Sequence, residues 1–364
     1  MRIVFLSMLG YPALHSHFSV DCKRNMAIKT ADFDYILPKD RIAQTSVEPR
    51  DQSKLLVVDR TRLKKEDRHF FNLPMLLKPG DLIVWNDTKV FRARLQGLSG
   101  ARDVELFLLR ARGAQWQALL RPSKYLPVGS AVHVKDATFI VEQKSADGTA
   151  HVRSPFNEQE TIAFANRVGS VPTPPYINRA LTDNTTYQTM YAQHTGSVAA
   201  PTSGFHFTPA LVSKLKNCGI HFASVTLHVG LGTFQPITAK TLDDHRMHSE
   251  WASVSRETVD AIARAKDRGS RVIAVGTTTV RALESAARFG SLEPYEGDVD
   301  LFIKPGFTFR IVDALITNFH LPKTTLLSLV SAFLGSRDAL METYQHALEH
   351  HYRFASFGDA MLIK

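Results

Sequence analysis

The stretch APTSGFHFTP, residues 200–209, places one histidine between two phenylalanines immediately before a helix start. Thr208 is a favourable N-cap and Pro209 suits the first helical position, so the sequence predicts a helix over residues 208–218. An imidazole near the positive end of a helix, with rings that exclude water, is suited to proton transfer. We therefore predict that His206 is an acid or a base at a binding site. The alternative is a packed histidine that bonds a backbone carbonyl.

Three further polar loops follow apolar segments typical of buried strands. They are TLHVGLGTFQP at 226–236, IAVGTTTVRALES at 273–285 and ITNFHLPKTTLLSLV at 316–330. In α/β proteins, ligands bind where the carboxyl ends of strands meet the amino ends of helices. Together these loops offer backbone amides and helix N-termini for a carboxylate or hydroxyls, and aromatic rings for a base. The third glycine of the dinucleotide fingerprint and the Walker lysine are both missing, so neither a dinucleotide nor a triphosphate is indicated.

A group of histidines and one glutamate occurs in DDHRMHSEW, residues 243–251. In the strand predicted to follow, His248 and Glu250 share one face and His245 does not, and the spacing matches no standard zinc site. Hydrogen bonding or acid–base work is therefore favoured over a metal. The histidines of HALEHHYRF, residues 346–354, are interpreted as a solvated helix face, so no metal site is predicted.

The composition is that of a globular protein with an anionic partner. The chain has 364 residues, of which 44% are hydrophobic, enough for one large domain or two ordinary ones. Its formal net charge of +9 indicates nucleic acid as the first candidate partner. Two cysteines are too few for a disulfide framework and fit a reducing cytosol. A cytoplasmic protein is therefore expected. No apolar run approaches the roughly 20 residues that a membrane helix needs.

Two kinds of pattern alternate along the chain and predict two domains. Short alternating segments between residues 89 and 153 predict about six strands and a small β-barrel. Strands and helices alternate after residue 179, which predicts an α/β layer or barrel. The predicted fold class is mixed α/β, a large α/β barrel-like domain with an inserted small all-β barrel. The predicted divisions are an N-terminal extension at 1–25, expected to be disordered, a large catalytic domain at 26–87 and 168–364, and the inserted barrel at 88–167.

The predicted barrel carries much of the basic charge. Residues 89–153 contain eleven Lys or Arg and five Asp or Glu, which is +6 of the net +9. Because phosphate contacts dominate nucleic-acid affinity, this zone is a candidate RNA-binding surface, and ordinary solvated strands are the equal alternative. The candidate RNA-binding residues are Lys89, Arg92, Arg94 and Arg112.

Nine segments, in order along the chain, match a known family. They are NDTKVFRARL, YQTMYA, GSVAAPTSGFHFT, HVGLGTFQP, HSE, VGTTTVRALES, LFIKPG, TNFHLPKTTLLSLVSAF and FGDAMLI. With them, the chain from about Ala31 to Lys364 resembles the S-adenosylmethionine:tRNA ribosyltransferase-isomerases of queuosine biosynthesis. It departs from the family pattern where Ser203 and Phe205 replace Ala and Leu of PTAGLHFT, and where Phe357 replaces Tyr.

The resemblance implies a two-domain, monomeric enzyme without a metal. It would move the ribosyl part of S-adenosylmethionine onto 7-aminomethyl-7-deazaguanine at the wobble position of tRNA, giving epoxyqueuosine, adenine and methionine. S-adenosylmethionine is then a consumed substrate, and no cofactor is expected. Proton transfers at the substrate amine, at a carbon next to the former sulfur and at adenine call for His or Glu. The candidate catalytic residues are His206, His228, Glu250 and His320.

The resemblance also assigns the four loops to S-adenosylmethionine. Its methionine carboxylate suits the amides of residues 277–279 or the side chain of Arg281, and its adenine could stack on Phe205 or Phe207. The candidate binding residues are Thr202, Ser203, Gly204, Phe205, Phe207, Gly230, Gly232, Thr233, Gly276, Thr277, Thr278, Thr279, Arg281, Glu284 and Asn318.

Two other functions are compatible with parts of the sequence. A non-catalytic RNA-binding protein with a decayed pocket should have lost the polar residues of the loops, which are present. A methyltransferase that uses S-adenosylmethionine needs a glycine-rich loop after the first strand of a doubly wound sheet, and KLLVVDRT at 54–61 has none. The transferase-isomerase is therefore the preferred hypothesis.

Removal of residues 1–25 should leave the protein folded and active, because these residues have no hydrophobic periodicity and Met26 offers a second start. The test compares a chain that begins at Met26 with the full chain. Thermal unfolding reports folding, and adenine release from S-adenosylmethionine with tRNA bearing the aminomethyl base reports activity. Loss of folding, or of all activity, in the shorter chain would contradict the prediction.

Overall fold

The computed structural model describes residues 27–179, 184–230 and 236–364. The predicted extension at 1–25 and the predicted binding residues Gly232 and Thr233 lie outside the described residues. The strands are β1 (Lys54–Asp59), β2 (Lys64–His69), β3 (Leu82–Asn86), β4 (Thr88–Val90), β5 (Arg94–Ser99), β6 (Arg102–Arg112), β7 (Gln115–Arg121), β8 (Ala131–Val134), β9 (Ala137–Lys144), β10 (Ala150–Arg153), β11 (His194–Ser197), β12 (His221–Leu227), β13 (Glu250–Val254), β14 (Val272–Val275), β15 (Tyr295–Val299), β16 (Ala314–Asn318) and β17 (Ala360–Ile363). The helices are α1 (Leu73–Leu76), α2 (Glu158–Val168), α3 (Pro209–Asn217), α4 (Arg256–Asp267), α5 (Thr277–Ala286), α6 (Thr325–Leu334) and α7 (Arg337–Glu349).

A nine-stranded sheet forms the centre of the large domain, with the strand order β15-β13-β12-β3-β14-β16-β17-β1-β2. Its four central strands, β12, β3, β14 and β16, are parallel to one another. Parallel neighbours bring their carboxyl ends to one edge of the sheet, which is where the predicted loops begin.

The large sheet is open, because its two end strands do not pair with each other. One end strand, β2, has the sequence KKEDRH and is mostly exposed. A charged strand of this kind is suited to a solvated edge and resists further pairing. The mixed α/β class predicted from the sequence is thus confirmed, and of the two predicted forms the large domain adopts the layer and not the closed barrel.

Alternating side chains of strands such as β1 and β3 bury both faces of the sheet. Val58 and Val84 point to one core, which contains the apolar faces of α4, α5, α6 and α7. Val57 and Ile83 belong to a second core, on the other face, which contains residues of α1 and α3. Strands buried on both faces are expected to be nearly continuous runs of apolar residues, as in the segment VIAV of β14.

The small domain is a closed barrel with the strand order β10-β7-β6-β5-β8-β9, and all its neighbours are antiparallel. Trp116 and Phe139 are buried at its centre, and Phe164 of α2 packs with its ring centroid 6.1 Å from that of Phe139. All six strands predicted for this zone are present. Closure removes the exposed edges that a small sheet would otherwise have.

The barrel is inserted into the large domain at the end of β3. Strand β4 pairs in parallel with β11, and residue 170 pairs with residue 94 where the chain returns from α2. Arg110 of the barrel also forms an ion pair of 2.5 Å with Asp298 of the large domain. These contacts fix a junction between the barrel and the large sheet.

Within the described ranges, no helix is both long and apolar enough to cross a membrane.

Candidate active site

A cleft with an empty volume of about 620 Å³, part of it open to solvent, lies at the carboxyl ends of β14 and β16. All four predicted loops line it, and the loop after β12 contributes Val229. Among the residues that the structure describes, none that lines the cleft has a charged side chain. The predicted residues that line the cleft are Thr202, Ser203, Gly276, Thr277, Thr278, Asn318 and His320.

The first turn of α5 opens directly onto this cleft. Gly276 precedes the helix with φ 87° and ψ 152°, a conformation essentially confined to glycine. Its N–H donates to the carbonyl of Ile316 at 2.7 Å, which ties the turn to β16. The N-cap glycine has no side chain to cap the helix. The first N–H groups of α5, with the positive end of the helix dipole, are therefore suited to an anionic group such as a carboxylate.

A buried amide fixes α5 to the two strands beneath it. Asn86, at the end of β3, donates to the hydroxyl of Thr278 at 3.2 Å and to the carbonyl of Leu227 at 2.9 Å. Its carbonyl oxygen accepts the N–H of Leu227 at 3.0 Å. Sequence reasoning missed Asn86 as a site residue, although the family segment NDTKVFRARL begins with it. A polar residue at the carboxyl end of an apolar strand was the available signal.

His320 follows β16 and is buried at the cleft wall. Its backbone N–H donates to the hydroxyl of Tyr344 at 3.0 Å, and its carbonyl accepts a hydrogen bond from the hydroxyl of Tyr35. Burial lowers the pKa of His320 to about 3, so the imidazole is neutral at pH 7. A neutral imidazole can accept a proton or a hydrogen bond from a ligand in the cleft.

His206 does not line the cleft. Its Nδ1 lies 2.7 Å from the hydroxyl oxygen of Ser53, and its ring packs 5.0 Å from that of Phe70. The side chain of Asn318, which does line the cleft, lies beside the imidazole. His206 therefore lies behind the cleft lining, while Asn318 itself donates to the carbonyl of Ala355 at 3.1 Å.

The charge state of His206 is set by its surroundings. Burial, and then the positive charges of Arg353 and Arg50, lower its pKa to about 3. The contact with Asn318 acts in the opposite direction and is the weaker effect. His206 is therefore neutral at pH 7 and lies behind the cleft lining.

Phe207 is a core residue. Its ring makes edge contacts with Phe70 at 5.0 Å and Trp85 at 5.9 Å, beneath the sheet and outside the cleft. Phe205 packs in another apolar cluster and also does not line the cleft. Of the described aromatic residues at the cleft, Tyr176 is half-buried, whereas the ring of Phe319 is fully buried in the core against Tyr344 and Phe354. Sequence reasoning missed Tyr176, whose signal was an aromatic residue in the Pro-rich segment VGSVPTPPYINR.

Glu250 and Arg281 form a buried ion pair beside the cleft. Glu250 also accepts the N–H of Gly230 at 2.8 Å, and Arg281 donates to the carbonyls of Val299 and Leu301 at 3.2 Å each. The pair thus connects the segment after β12 to β13, α5 and β15. The structure gives both side chains a positioning contact and brings neither to the cleft wall.

The remaining predicted binding residues also serve as internal contacts. Glu284 accepts the N–H groups of residues 310–312, and burial raises its pKa. Thr279 donates to the carbonyl of Val275 at 2.7 Å. A Cβ on Gly204 would lie 1.9 Å from the hydroxyl oxygen of Tyr191, so this position requires glycine for close packing.

His228 lies at the junction of the barrel and the large sheet. Its Nδ1 is 2.7 Å from the hydroxyl oxygen of Thr88, and its ring stacks on Trp251 at 4.9 Å. Burial, and then the charges of His194 and Arg110, lower its pKa to about 4. His228 is therefore a second neutral imidazole, outside the residues that line the cleft and next to the base of the barrel.

Comparison with known proteins identifies the family. Residues 30–363 match the family described as "Queuosine biosynthesis protein". The chain belongs to this family. It is 47% identical over 338 residues to an S-adenosylmethionine:tRNA ribosyltransferase-isomerase of Thermosynechococcus vestitus, covering 91% of this chain and 94% of that protein. It is 47% identical over 342 residues to the protein of the same name from an Azoarcus species, covering 93% of this chain and 98% of that protein.

A solved structure shares the fold. It is the crystal structure of an S-adenosylmethionine tRNA ribosyltransferase from Thermotoga maritima, which is 39% identical to this chain. The alignment covers 92% of this chain and all of that one, with a TM-score of 0.55. The family resemblance inferred from the ordered motifs is confirmed by these matches.

Two departures from the family pattern contact each other. The rings of Phe205 and Phe357 are stacked with their centroids 5.8 Å apart. The guanidinium of Arg50 lies 5.1 Å from the centre of the Phe205 ring. The third departure, Ser203, lies at the cleft wall, 3.6 Å from where a Cβ on Gly276 would be. The replacements at Phe205 and Phe357 are therefore a single change in packing, because the two rings contact each other.

The predicted RNA-binding residues differ in their surroundings. Arg112 is exposed and, with Arg110 and His151, lines a groove on the barrel. Arg94 forms an ion pair of 3.5 Å with Glu105 and is partly buried. Lys89 is exposed on β4 and Arg92 is half-buried in the turn that follows. Sequence reasoning missed Arg110, whose alternation with Arg112 on one face of β6 was the available signal.

Substitution of Gly276 by alanine should destabilise the fold and weaken binding of S-adenosylmethionine. The Cβ forces the backbone out of a glycine-only conformation, at a cost of about 1–3 kcal/mol, and shifts the first turn of α5. Urea unfolding measures the stability, and calorimetric titration measures the affinity. Gly113→Ala is the control, because Gly113 also has positive φ but has open space around it on the barrel. Equal affinities in Gly276→Ala and Gly113→Ala would contradict the prediction.

The low pKa of His206 makes stability depend on pH. Its folded-state pKa is about 3 and its ordinary value is 6.5, so between these values only the unfolded chain binds the proton. The stabilisation is complete above pH 6.5 and decreases as the pH falls towards 3. In His206→Gln, the loss of unfolding free energy from pH 7 to pH 5 should be smaller by about 2 kcal/mol, measured by urea unfolding. The exposed His351→Gln is the control, and parallel pH profiles for all three chains would refute the assignment.

Proposed function

We propose that this protein is an S-adenosylmethionine:tRNA ribosyltransferase-isomerase. It transfers the ribosyl moiety of S-adenosylmethionine to 7-aminomethyl-7-deazaguanine at the tRNA wobble position and rearranges it to epoxyqueuosine, releasing adenine and methionine. Membership of the queuosine biosynthesis family and the names of two relatives at 47% identity support this assignment. The observation that carries it in the structure is the uncharged cleft at the open N-terminus of α5.

The cleft suits the distribution of charge in S-adenosylmethionine. The carboxylate of the methionine part would accept hydrogen bonds from the first N–H groups of α5, at Thr277 and Thr278. The adenine would lie against the ring of Tyr176. The hydroxyls of Thr202 and Ser203 lie at the same wall and can bond the ribose hydroxyls. This placement replaces the predicted stacking on Phe205 and Phe207 with stacking on Tyr176 at the cleft.

The three neutral histidines receive different roles in this proposal. His320 alone of the three is at the cleft wall, so it is the histidine assigned to proton transfer with bound substrate. His206 acts as a positioning residue through Asn318. His228, between the cleft loops and the barrel, faces the direction from which a tRNA held by the barrel would present its base. Glu250 keeps the segment at Gly230 in place through its ion pair and its backbone bond.

The tRNA would bind along the basic groove of the barrel. Arg110, Arg112 and His151 line this groove, and Arg110 also contacts the large domain. Phosphates bound there would lie next to the junction that contains His228. A tRNA substrate and the family resemblance together favour a cytoplasmic, monomeric enzyme.

An assay of adenine release tests the reaction. Purified protein with S-adenosylmethionine and tRNA bearing the aminomethyl base should release adenine and form the modified nucleoside, detected by mass spectrometry. His320→Gln keeps a hydrogen-bonding side chain but cannot accept a proton at neutral pH, so turnover should fall by roughly 10²–10⁴-fold. His351→Gln, outside the cleft, should retain the parent rate. Tight tRNA binding without adenine release would favour a non-catalytic RNA-binding protein instead.

Neutralisation of exposed basic residues on and beside the barrel should weaken tRNA binding in a salt-dependent way. In Lys89→Gln with Arg112→Gln, the slope of log affinity against log salt should decrease in magnitude by about 0.7–0.9 for each phosphate that the protein no longer neutralises. Affinity for S-adenosylmethionine should not change. Arg264→Gln, an exposed arginine of α4 on the large domain, is the matched control. An unaltered salt slope in the double variant would show that tRNA does not use this surface.

A further inference from the structure

Two histidines of α7 face an aspartate of the edge strand β2. His346 and His350 are one helical turn apart, and their rings are stacked at 3.9 Å with an angle of 17° between the planes. The Nε2 atom of His346 lies 3.2 Å from each carboxylate oxygen of Asp67. The donor atoms of the three side chains all lie within 4.8 Å of one another. The sequence interpretation of a merely solvated helix face does not account for this convergence.

Neighbouring hydrogen bonds orient two of the three side chains, His350 and Asp67, as ligands. The Nδ1 of His350 bonds the backbone carbonyl of His346 at 2.9 Å, so Nδ1 carries the hydrogen and Nε2 has the lone pair. The hydroxyl of Tyr352 donates to Asp67 at 2.6 Å and orients the carboxylate. An imidazole N–H that donates to a backbone carbonyl, and a donor that bonds the carboxylate, are both typical around protein metal sites.

The donor set matches zinc chemistry. Zinc is bound by histidine nitrogens and carboxylate oxygens at about 2.0–2.2 Å, which places tetrahedral ligand atoms roughly 3.3 Å apart. The distance between Asp67 and His346 already has this value, and a small rotation of the exposed His350 side chain closes the remaining gap. Imidazole donors disfavour magnesium and calcium, which prefer oxygen ligands. Two histidines four residues apart on a helix are a recurrent zinc-binding arrangement.

A simple ion pair explains only part of the cluster. Asp67 and His346 can pair by themselves, but such a pair gives no reason for a second imidazole stacked at 3.9 Å with its Nε2 unprotonated. The nearby cation of Lys54 is bonded at 2.8 Å to the carbonyl of His350 and not to its ring. A divalent ion would satisfy the carboxylate and both imidazole lone pairs together.

We propose that Asp67, His346 and His350 bind one divalent transition-metal ion of the zinc class, with water completing its coordination. The ion joins the charged edge strand β2 to helix α7, outside the cleft and without a part in the transfer reaction. Because the ligands come together only in the folded chain, the ion stabilises the native state.

The site is tested by metal titration of the full chain after removal of any affinity tag and bound metal. Cobalt(II) should bind with one ion per chain and give visible absorption bands that zinc abolishes by displacement. His350→Gln and Asp67→Asn should each weaken binding by at least about tenfold. His351→Gln is the matched control, because His351 is the adjacent exposed histidine and bonds Arg41 instead. It should bind cobalt as the parent does.

Stability gives a readout that does not depend on activity. Zinc at about a hundred times its Kd should raise the Tm of the parent and of His351→Gln by about 3 °C, and should leave His350→Gln unchanged. Far-UV circular dichroism checks that each variant is folded, and Asp67→Asn retains the partner of Tyr352. Absence of saturable cobalt binding, or equal binding by the parent, His350→Gln and Asp67→Asn, would overturn the proposal.

Discussion

The turn from β14 into α5 sets the geometry on which the cleft depends. Gly276 adopts φ 87° and ψ 152°, where any side chain is strained, and its N–H is held by β16 at 2.7 Å. This conformation lets the helix begin without a capping side chain, at the edge where the parallel strands end. Asn86 then holds the first turn of α5 to β3 and β12. The open helix N-terminus is thus a product of one backbone conformation and one buried amide.

The ion pair of Glu250 and Arg281 supports the same region from the other side. Both side chains are almost fully buried, and each makes further hydrogen bonds to backbone groups. A buried pair contributes little net stability, but removal of one partner leaves an uncompensated charge that costs about 3–5 kcal/mol. The pair is therefore better understood as a device that fixes the segment at Gly230 relative to α5 than as a source of stability or of reacting groups.

The helices and strands, and the edge of the sheet at which the polar loops meet, could be predicted from the sequence because they depend on local patterns. The six barrel strands follow from alternation, and the meeting of loops follows from parallel strands that end at one edge. Which side chains face the cleft could not be predicted, because His206 lies in the 3-10 helix 202–206, where neighbouring residues point in different directions. Tyr176 and Ser356 reach the cleft from distant parts of the chain. Whether the large sheet is open or closed could not be predicted either. It depends on which strands lie at the two ends of the sheet, and that order is set by pairing between distant segments.

An uncharged cleft has a consequence for the proposed reaction. The sulfonium of S-adenosylmethionine is a cation, and the described lining residues offer no carboxylate to replace the water it loses on binding. Desolvation without a counter-charge raises the energy of the bound cation, whereas the transition state for loss of methionine has already begun to neutralise the sulfur. An environment that destabilises the ground state more than the transition state accelerates the loss of methionine. In the proposed placement, the carboxylate of the same substrate would retain its partner at the N-terminus of α5, so the cleft would hold the molecule by one end and favour cleavage at the sulfur.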